Sequence, residues 1–430
     1  MIIYLITRQP EMMAATQNLF LETAYNIGIQ LCRDAIWSGN KCNWAGPSME
    51  YLDSSWKTVQ RSYSTDLYSG TAGVGYFLSY LYSLTDDPII KETALGCFEQ
   101  AIANKEQIHT AARIGFYTGW SGIVHALQKC GPLLNKENFD KEATEMLNAI
   151  IQCNLQESGI DILAGCAGAI PVLISQRGSQ NDTYLNFAKN IGSHLIEFAH
   201  KTDKGWSWNT LGSNSTTLTN NLTGFSHGTA GIAWALIELY EITKDEKYND
   251  AAQKAFEYER SLFNAVFGNW PDLRSFDNTQ KTTEELYGSV AWCHGAPGIG
   301  LSRLRAYDLS SKLICKEEAE IAVKTTSNSI SQMLQNRVSN FSLCHGIGGN
   351  TEVLILGADI LENNEFLNYA KKIGLAGITL YSNNGTPWPC GIMGAGESPG
   401  LMLGLAGIGY FYLRLHDQKR VPSILLPLSN

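Results

Sequence analysis

The chain reads as an all-α protein, an α/α toroid (barrel) of seven inner and seven outer helices. Three observations lead there. A Gly-x-x-Gly core recurs seven times along the 430 residues, a strongly apolar stretch of helical length follows each copy, and a more charged, one-sided segment at helical spacing comes behind that stretch. Helices buried on nearly all sides, alternating with helices buried on one, suggest two concentric rings closed on themselves.

Residues 1–65 precede the first copy and read as an N-terminal helix and loop region, with Ile27-Gly-Ile-Gln-Leu-Cys32 in the helix and Asn43-Trp-Ala-Gly46 in the loop. Residues 66–430 hold the repeats, and we read 1–430 as one domain. The copies are Gly70-Thr-Ala-Gly73, Gly119-Trp-Ser-Gly122, Gly165-Cys-Ala-Gly168, Gly228-Thr-Ala-Gly231, Gly295-Ala-Pro-Gly298, Gly346-Ile-Gly-Gly349 and Gly404-Leu-Ala-Gly407. Their intervals are too long and too uneven for a tetratricopeptide or ankyrin array and suit two helices with variable loops.

The fourth repeat shows the unit. From Ile232 through Trp234, Leu236, Leu239 and Ile242 the segment is apolar on nearly all sides, as a buried helix should be. Tyr248, Ala251, Ala252, Ala255, Phe256 and Phe263 then mark a single stripe, with Lys247, Asp250, Lys254 and Glu257 off it. The third repeat has the same stripe in Tyr184, Phe187, Ala188, Ile191, Leu195 and Phe198. Glycines at i and i+3 leave one face of an inner helix bare, so seven helix N-termini can crowd at one end of the ring.

Composition narrows the function. With 32 basic and 41 acidic residues the net charge is −9, which disfavours nucleic acid as a partner. No apolar run reaches the ~18 residues of a transmembrane segment. Ten cysteines at irregular spacing fit reduced thiols, and so a cytoplasmic protein, better than a disulfide framework.

The repeats lose their symmetry just before the first glycine, where the fourth, fifth and sixth copies carry His227, His294 and His345. Those copies place Ser226, Cys293 and Cys344 one position earlier. Equivalent positions of neighbouring repeats face a common axis, so these thiols and imidazoles should converge. Sulfur and imidazole together are zinc ligands, and three protein ligands leave a fourth position open. The spacing does not choose which histidine binds. Four residues before the first glycine stand Asp66 and Asp161 in the first and third copies. An aspartate there commonly caps a helix. Asp161, ahead of an apolar Ile-Leu-Ala, also suits an orienting or proton-transfer group.

The segments Trp292-Cys-His-Gly-Ala-Pro-Gly-Ile-Gly300, Leu343-Cys-His-Gly-Ile-Gly-Gly-Asn350 and Gly224-Phe-Ser-His-Gly-Thr-Ala-Gly231 resemble the lanthionine cyclase (LanC) family and the cyclase domains of lanthipeptide synthetases. The likeness runs from Asp66 to the end, and Ser398-Pro-Gly-Leu-Met-Leu-Gly-Leu-Ala-Gly-Ile-Gly409 is similar above all to the bifunctional synthetases. The resemblance implies one Zn2+ per chain on Cys293, Cys344 and His345, with His227 as the acid/base group and Asp161 beside it. It implies a cyclase that adds a peptide cysteine thiolate to dehydroalanine or dehydrobutyrine, forming lanthionine or methyllanthionine rings in a dehydrated precursor peptide. His294 stands where some members have tyrosine and is expected near the metal ligands or facing substrate. Bifunctional members carry a large dehydratase region ahead of the cyclase; residues 1–65 are too few for one, so a separate dehydratase is an expected partner.

Three other readings remain. A LanC-like enzyme could instead join glutathione or another thiol to dehydroamino acids in proteins. A non-catalytic peptide-binding protein with structural zinc would need a fourth protein ligand, for which His294 or Cys390 could serve. A glycosidase would need paired carboxylates, and the axis-facing positions offer thiols and imidazoles.

Overall fold

The computed structural model describes residues 2–52, 55–176, 181–211, 220–274, 281–337, 340–392, 394 and 396–427. Its helices are α1 (Ile2–Asp34), α2 (Thr71–Thr85), α3 (Pro88–Asn104), α4 (Trp120–Leu134), α5 (Asn138–Ile150), α6 (Ile170–Ile174), α7 (Asn181–Glu197), α8 (Thr229–Thr243), α9 (Glu246–Ser261), α10 (Thr283–Tyr287), α11 (Ala296–Ser310), α12 (Leu313–Asn336), α13 (Ile347–Ile360), α14 (Asn364–Gly377) and α15 (Leu405–His416). Helices α2, α4, α6, α8, α11, α13 and α15 pack each on the next, and α15 returns to α2. Each inner helix has its outer partner behind it.

The first glycine of each copy is the N-cap residue of its inner helix or, in the third repeat, of the 3-10 turn Cys166–Ala169 that leads into α6. The second glycine is a packing notch. A Cβ on Gly231 would sit 2.1 Å from the Phe225 carbonyl and 2.6 Å from the Ile162 side chain of the preceding repeat. The second glycines of the other six repeats are equally close to the residue six positions earlier, at 1.7 to 2.4 Å.

Seven backbone hydrogen bonds close the circle at this end. The amide of Tyr68 donates to the carbonyl of Tyr117 (2.8 Å), Tyr117 to Leu163 (3.0 Å), Leu163 to Ser226 (3.2 Å) and Ser226 to Cys293 (3.4 Å). Cys293 then donates to Cys344 (3.3 Å), Cys344 to Met402 (2.9 Å) and Met402 back to Tyr68 (2.8 Å). All seven stand two residues before the first glycine of their repeat. The motif positions therefore meet as a ring, and their side chains share one end of the molecule.

The structure differs from the sequence reading in several places. The seventh outer helix is α1, whose Phe20, Ala24, Ile27 and Leu31 are buried as it packs on α15. The third inner helix is a short one: Pro171 lacks an N–H, and a 3-10 turn replaces the first helical turn. The loop after α1 contains two antiparallel hairpins, β1 (Ile36–Ser38) with β2 (Lys41–Asn43) and β3 (Ala45–Leu52) with β4 (Ser55–Ser62). A third hairpin, β5 (His200–Thr202) with β6 (Gly205–Ser207), follows α7. Of the positions read as buried, Phe198 of the third outer stripe and Ile242 of the fourth inner helix end up 47% and 48% exposed at helix ends. All ten cysteines are free, and no helix among the described residues is long and apolar enough to cross a membrane.

Candidate active site

Asp161 and His227 come from neighbouring repeats and touch. Asp161 Oδ1 accepts the amides of Ala164 (2.8 Å) and Gly165 (2.9 Å), closing the turn that enters the third inner helix. Its Oδ2 accepts His227 Nδ1–H at 2.6 Å. Asp66 makes the same turn in the first repeat, taking the amides of Ser69 (2.8 Å) and Gly70 (3.1 Å), but its other oxygen takes the hydroxyl of Ser64. Closing the entry turn is thus common to both aspartates, neither of which caps the helix that follows, and the histidine contact belongs to Asp161.

A carboxylate on Nδ1 fixes the His227 tautomer and leaves Nε2 as the working nitrogen. Burial tends to lower the His227 pKa, but the hydrogen bond and charge of Asp161 outweigh it, and the net direction is upward. The side chain is 30% exposed, so the ring is reachable from solvent.

Cys293 and Cys344 are buried ring neighbours whose thiols interact directly. The interaction with Cys344 pushes Cys293 down despite its burial, and Cys344 goes up in turn, as when two thiols share one proton. His345, half-buried, donates Nε2–H to the Gly391 carbonyl at 2.9 Å. That bond fixes its tautomer and leaves the lone pair on Nδ1, the arrangement typical of a metal-ligating histidine. The two sulfurs and this imidazole fit zinc in donor chemistry. As the side chains stand, no three His, Cys, Asp or Glu groups among the described residues are gathered into a ready metal cluster.

His294 is fully buried and faces away from solvent. Its Nδ1 is 3.3 Å from the Thr223 carbonyl, Nε2 has no hydrogen-bond partner, and its ring stacks on His227 with centroids 6.3 Å apart. Burial, helped by the charge of Arg274, pushes its pKa down to about 3, so it is neutral. Cys390 lies 3.9 Å from the Ser398 carbonyl with its pKa pushed up to about 11 by burial. His294 thus keeps a buried Nε2 without a partner, and Cys390 is a protonated thiol held toward the Ser398 carbonyl.

Two residues of this end were not picked out from the sequence. Tyr68 occupies the ring position of the first repeat, and its side chain interacts with that of Cys344. Arg274 leaves the loop between α9 and α10, forked onto Asp272, and its charge is felt at both thiols and at His227. Tyr68 stands at the ring position when it is followed through all seven copies, but spacing alone gives it no role. Arg274 belongs to no repeated position, so the pattern held no signal for it.

The fold and site together define a class: a closed helical toroid with a thiol pair and a carboxylate-held histidine at one end of its axis. The model of the family described as lanthionine synthetase C-like protein matches residues 61–426, and the chain belongs to that family. It is 26% identical over 406 residues to the Lacticin 481/lactococcin biosynthesis protein LcnDR2 of Lactococcus lactis subsp. lactis. That alignment takes in 91% of this chain and 40% of the relative, so the chain spans less than half the length of this relative. Among solved structures it is similar to nisin cyclase, with a TM-score of 0.65 and 16% identity over 85% of this chain and 92% of that one. At that identity the likeness speaks for the fold.

Proposed function

We propose that the chain is a zinc-dependent peptide cyclase that forms lanthionine or methyllanthionine thioether rings. The observation that carries this reading is the meeting, at one end of the ring, of the Cys293 and Cys344 thiols with the 2.6 Å His227–Asp161 pair. Membership of the lanthionine synthetase C-like family and the names of its relatives support it.

Cys293, Cys344 and His345 would hold the zinc. Bound there, zinc would favour the thiolate of an incoming peptide cysteine at neutral pH, where a free thiol of pKa ~8.5 is mostly protonated. His227 does the proton work. Its Nε2 accepts the proton the thiol gives up and returns it to the α-carbon once sulfur has added to the β-carbon, so the proton count closes without another donor. Asp161 stabilises the imidazolium between the two transfers and keeps the ring aimed. The substrate is a dehydrated, cysteine-containing peptide, and a dehydratase, as a separate protein or another region, must supply it.

Ring closure leaves peptide mass unchanged and removes one alkylatable thiol. The test is therefore alkylation of a dehydrated peptide after incubation with the zinc-loaded protein. A thiol count that falls with time at constant mass supports cyclisation. Addition of glutathione to the same peptide, read as a mass increase, would favour the intermolecular thiol reading instead.

A further inference from the structure

Arg274 is built into the site more firmly than a surface arginine. Its Nε and Nη2 donate to Asp272 Oδ1 and Oδ2 at 2.9 and 2.8 Å, a two-pronged pair that fixes the guanidinium plane. Asp272 is buried, and its own amide is tied to the Leu286 carbonyl at 2.7 Å. The loop is braced on both sides. The Thr223 hydroxyl, in the loop that carries His227, donates to the Pro271 carbonyl at 2.7 Å. On the other side Asn269 donates to the carbonyls of Tyr287 (2.7 Å) and Ser289 (2.9 Å) and accepts the amide of Ala296 (2.9 Å), just past Cys293. Arg274 is thus carried on a strut between the histidine loop and the thiol loop. Its side chain is 25% exposed, so a bound peptide can reach it.

The proposed cyclisation needs such a group, and this inference rests on that reading. As the C–S bond forms at the β-carbon, the C=C π pair moves onto the carbonyl of the same residue, giving an enolate oxygen. The thiol proton is by then on His227, and it must still pass to the α-carbon to regenerate the neutral amide. Until it does, the oxygen carries charge that Asp161 and the thiols can only repel. We propose that Arg274, held by Asp272, is a catalytic residue that stabilises this enolate oxygen. A rigid guanidinium needs little reorganisation for the task, and its planar edge offers N–H donors to an oxyanion.

The test uses zinc-loaded full chain and a dehydrated, cysteine-containing peptide, with kcat, KM, bound zinc and thermal midpoint measured for R274Q, R274K and R274A. R274Q should lose roughly 10²-fold or more in kcat, the scale of one oxyanion donor, with KM and bound zinc near wild type. R274K, keeping the charge without the fork, should fall between the two. R274A should regain part of its kcat when guanidinium chloride is added at millimolar concentration. The role is overturned if R274Q keeps kcat within about twofold of wild type, or if the whole loss lies in KM. If R274Q and R274A fail to fold, a fully active R274K overturns it and a slowed, zinc-bound R274K supports it. A wild-type protein that does not cyclise the peptide counts against the cyclase reading itself, an outcome distinct from an active R274Q.

Discussion

Asp161 and His227 are 66 residues apart in sequence and 2.6 Å apart in space. The ring hydrogen bond from Leu163 to Ser226 brings their two loops side by side, so the contact follows from the repeat closing on its neighbour. Asp161 is therefore what raises the His227 pKa against the effect of burial. Removing the charge in Asp161→Asn should lower that pKa. If neutral His227 accepts the thiol proton, the rising limb of kcat/KM against pH should move to lower pH in this variant, while the plateau falls because the ring is less well aimed. A limb that stays in place would show that another group sets it.

His227→Asn separates the proton-transfer role from metal binding. Loss of a general acid/base typically costs 10²–10⁴-fold, and cyclisation should fall by about that factor. Zinc content, measured by metal analysis of the purified protein, should remain near that of wild type. Metal loss in this variant would make His227 a ligand and leave proton transfer unassigned.

Cys293→Ala removes one member of the thiol pair. Zinc content should drop sharply, and the peptide's alkylatable thiol should persist after incubation. The Cys344 pKa should also come down, because its interaction with Cys293 heads the causes that raise it. Alkylation kinetics of Cys344 in the metal-free variant would read this. Cyclisation unchanged from wild type would refute the proposed function.

The seven-membered ring was legible because glycine is demanded wherever backbone meets backbone, and that demand repeats with each unit. Cys293, Cys344, His227 and His345 were legible for the same reason, as departures from a repeat at a fixed position. What escaped depends on contacts without a period. Nothing in residues 2–34 says that α1 completes the outer ring, because its partner α15 lies at the far end of the sequence. His294 shares the histidine position yet is fully buried, and Gly295, at φ +96, enters its helix differently from the other first glycines. Arg274 depends on braces from Thr223 and Asn269 that no spacing rule anticipates.

The close approach at the second glycines leaves no room for a methyl group. In Gly231→Ala the new methyl would lie 2.1 Å from the Phe225 carbonyl oxygen, and backbone must move to admit it. The cost should be about 3 kcal/mol, the upper end of overpacking effects, read as a lower denaturant midpoint. Gly396→Ala is the control: nothing lies within 4 Å of its added carbon, and the change should stay within about 0.5 kcal/mol. Equal effects at the two sites would mean that the glycines matter for chain flexibility rather than for the close approach.

Residues 421–427 tie the ring to the end of the described chain, and this link can be cut one atom at a time. Trp292 Nε1 donates to the Leu425 carbonyl at 3.0 Å and Tyr117 Oη to the Ile424 carbonyl at 2.8 Å, while the two rings meet edge to face with centroids 5.0 Å apart. Tyr117 and Trp292 come from the second and fifth repeats, so the segment is gripped from well-separated parts of the ring. Trp292→Phe keeps an aromatic ring but leaves a buried carbonyl without its donor, a loss of about 1–3 kcal/mol. Tyr117→Phe should cost a similar amount. Because both donors hold one segment, the double variant should lose less than the sum of the singles, a coupling measurable in a double-mutant cycle. Cys293 follows Trp292 directly, so a slackened grip should also speed alkylation of Cys293 in metal-free protein. Additive losses with unchanged Cys293 reactivity would show that the segment packs passively and does not brace the thiol loop.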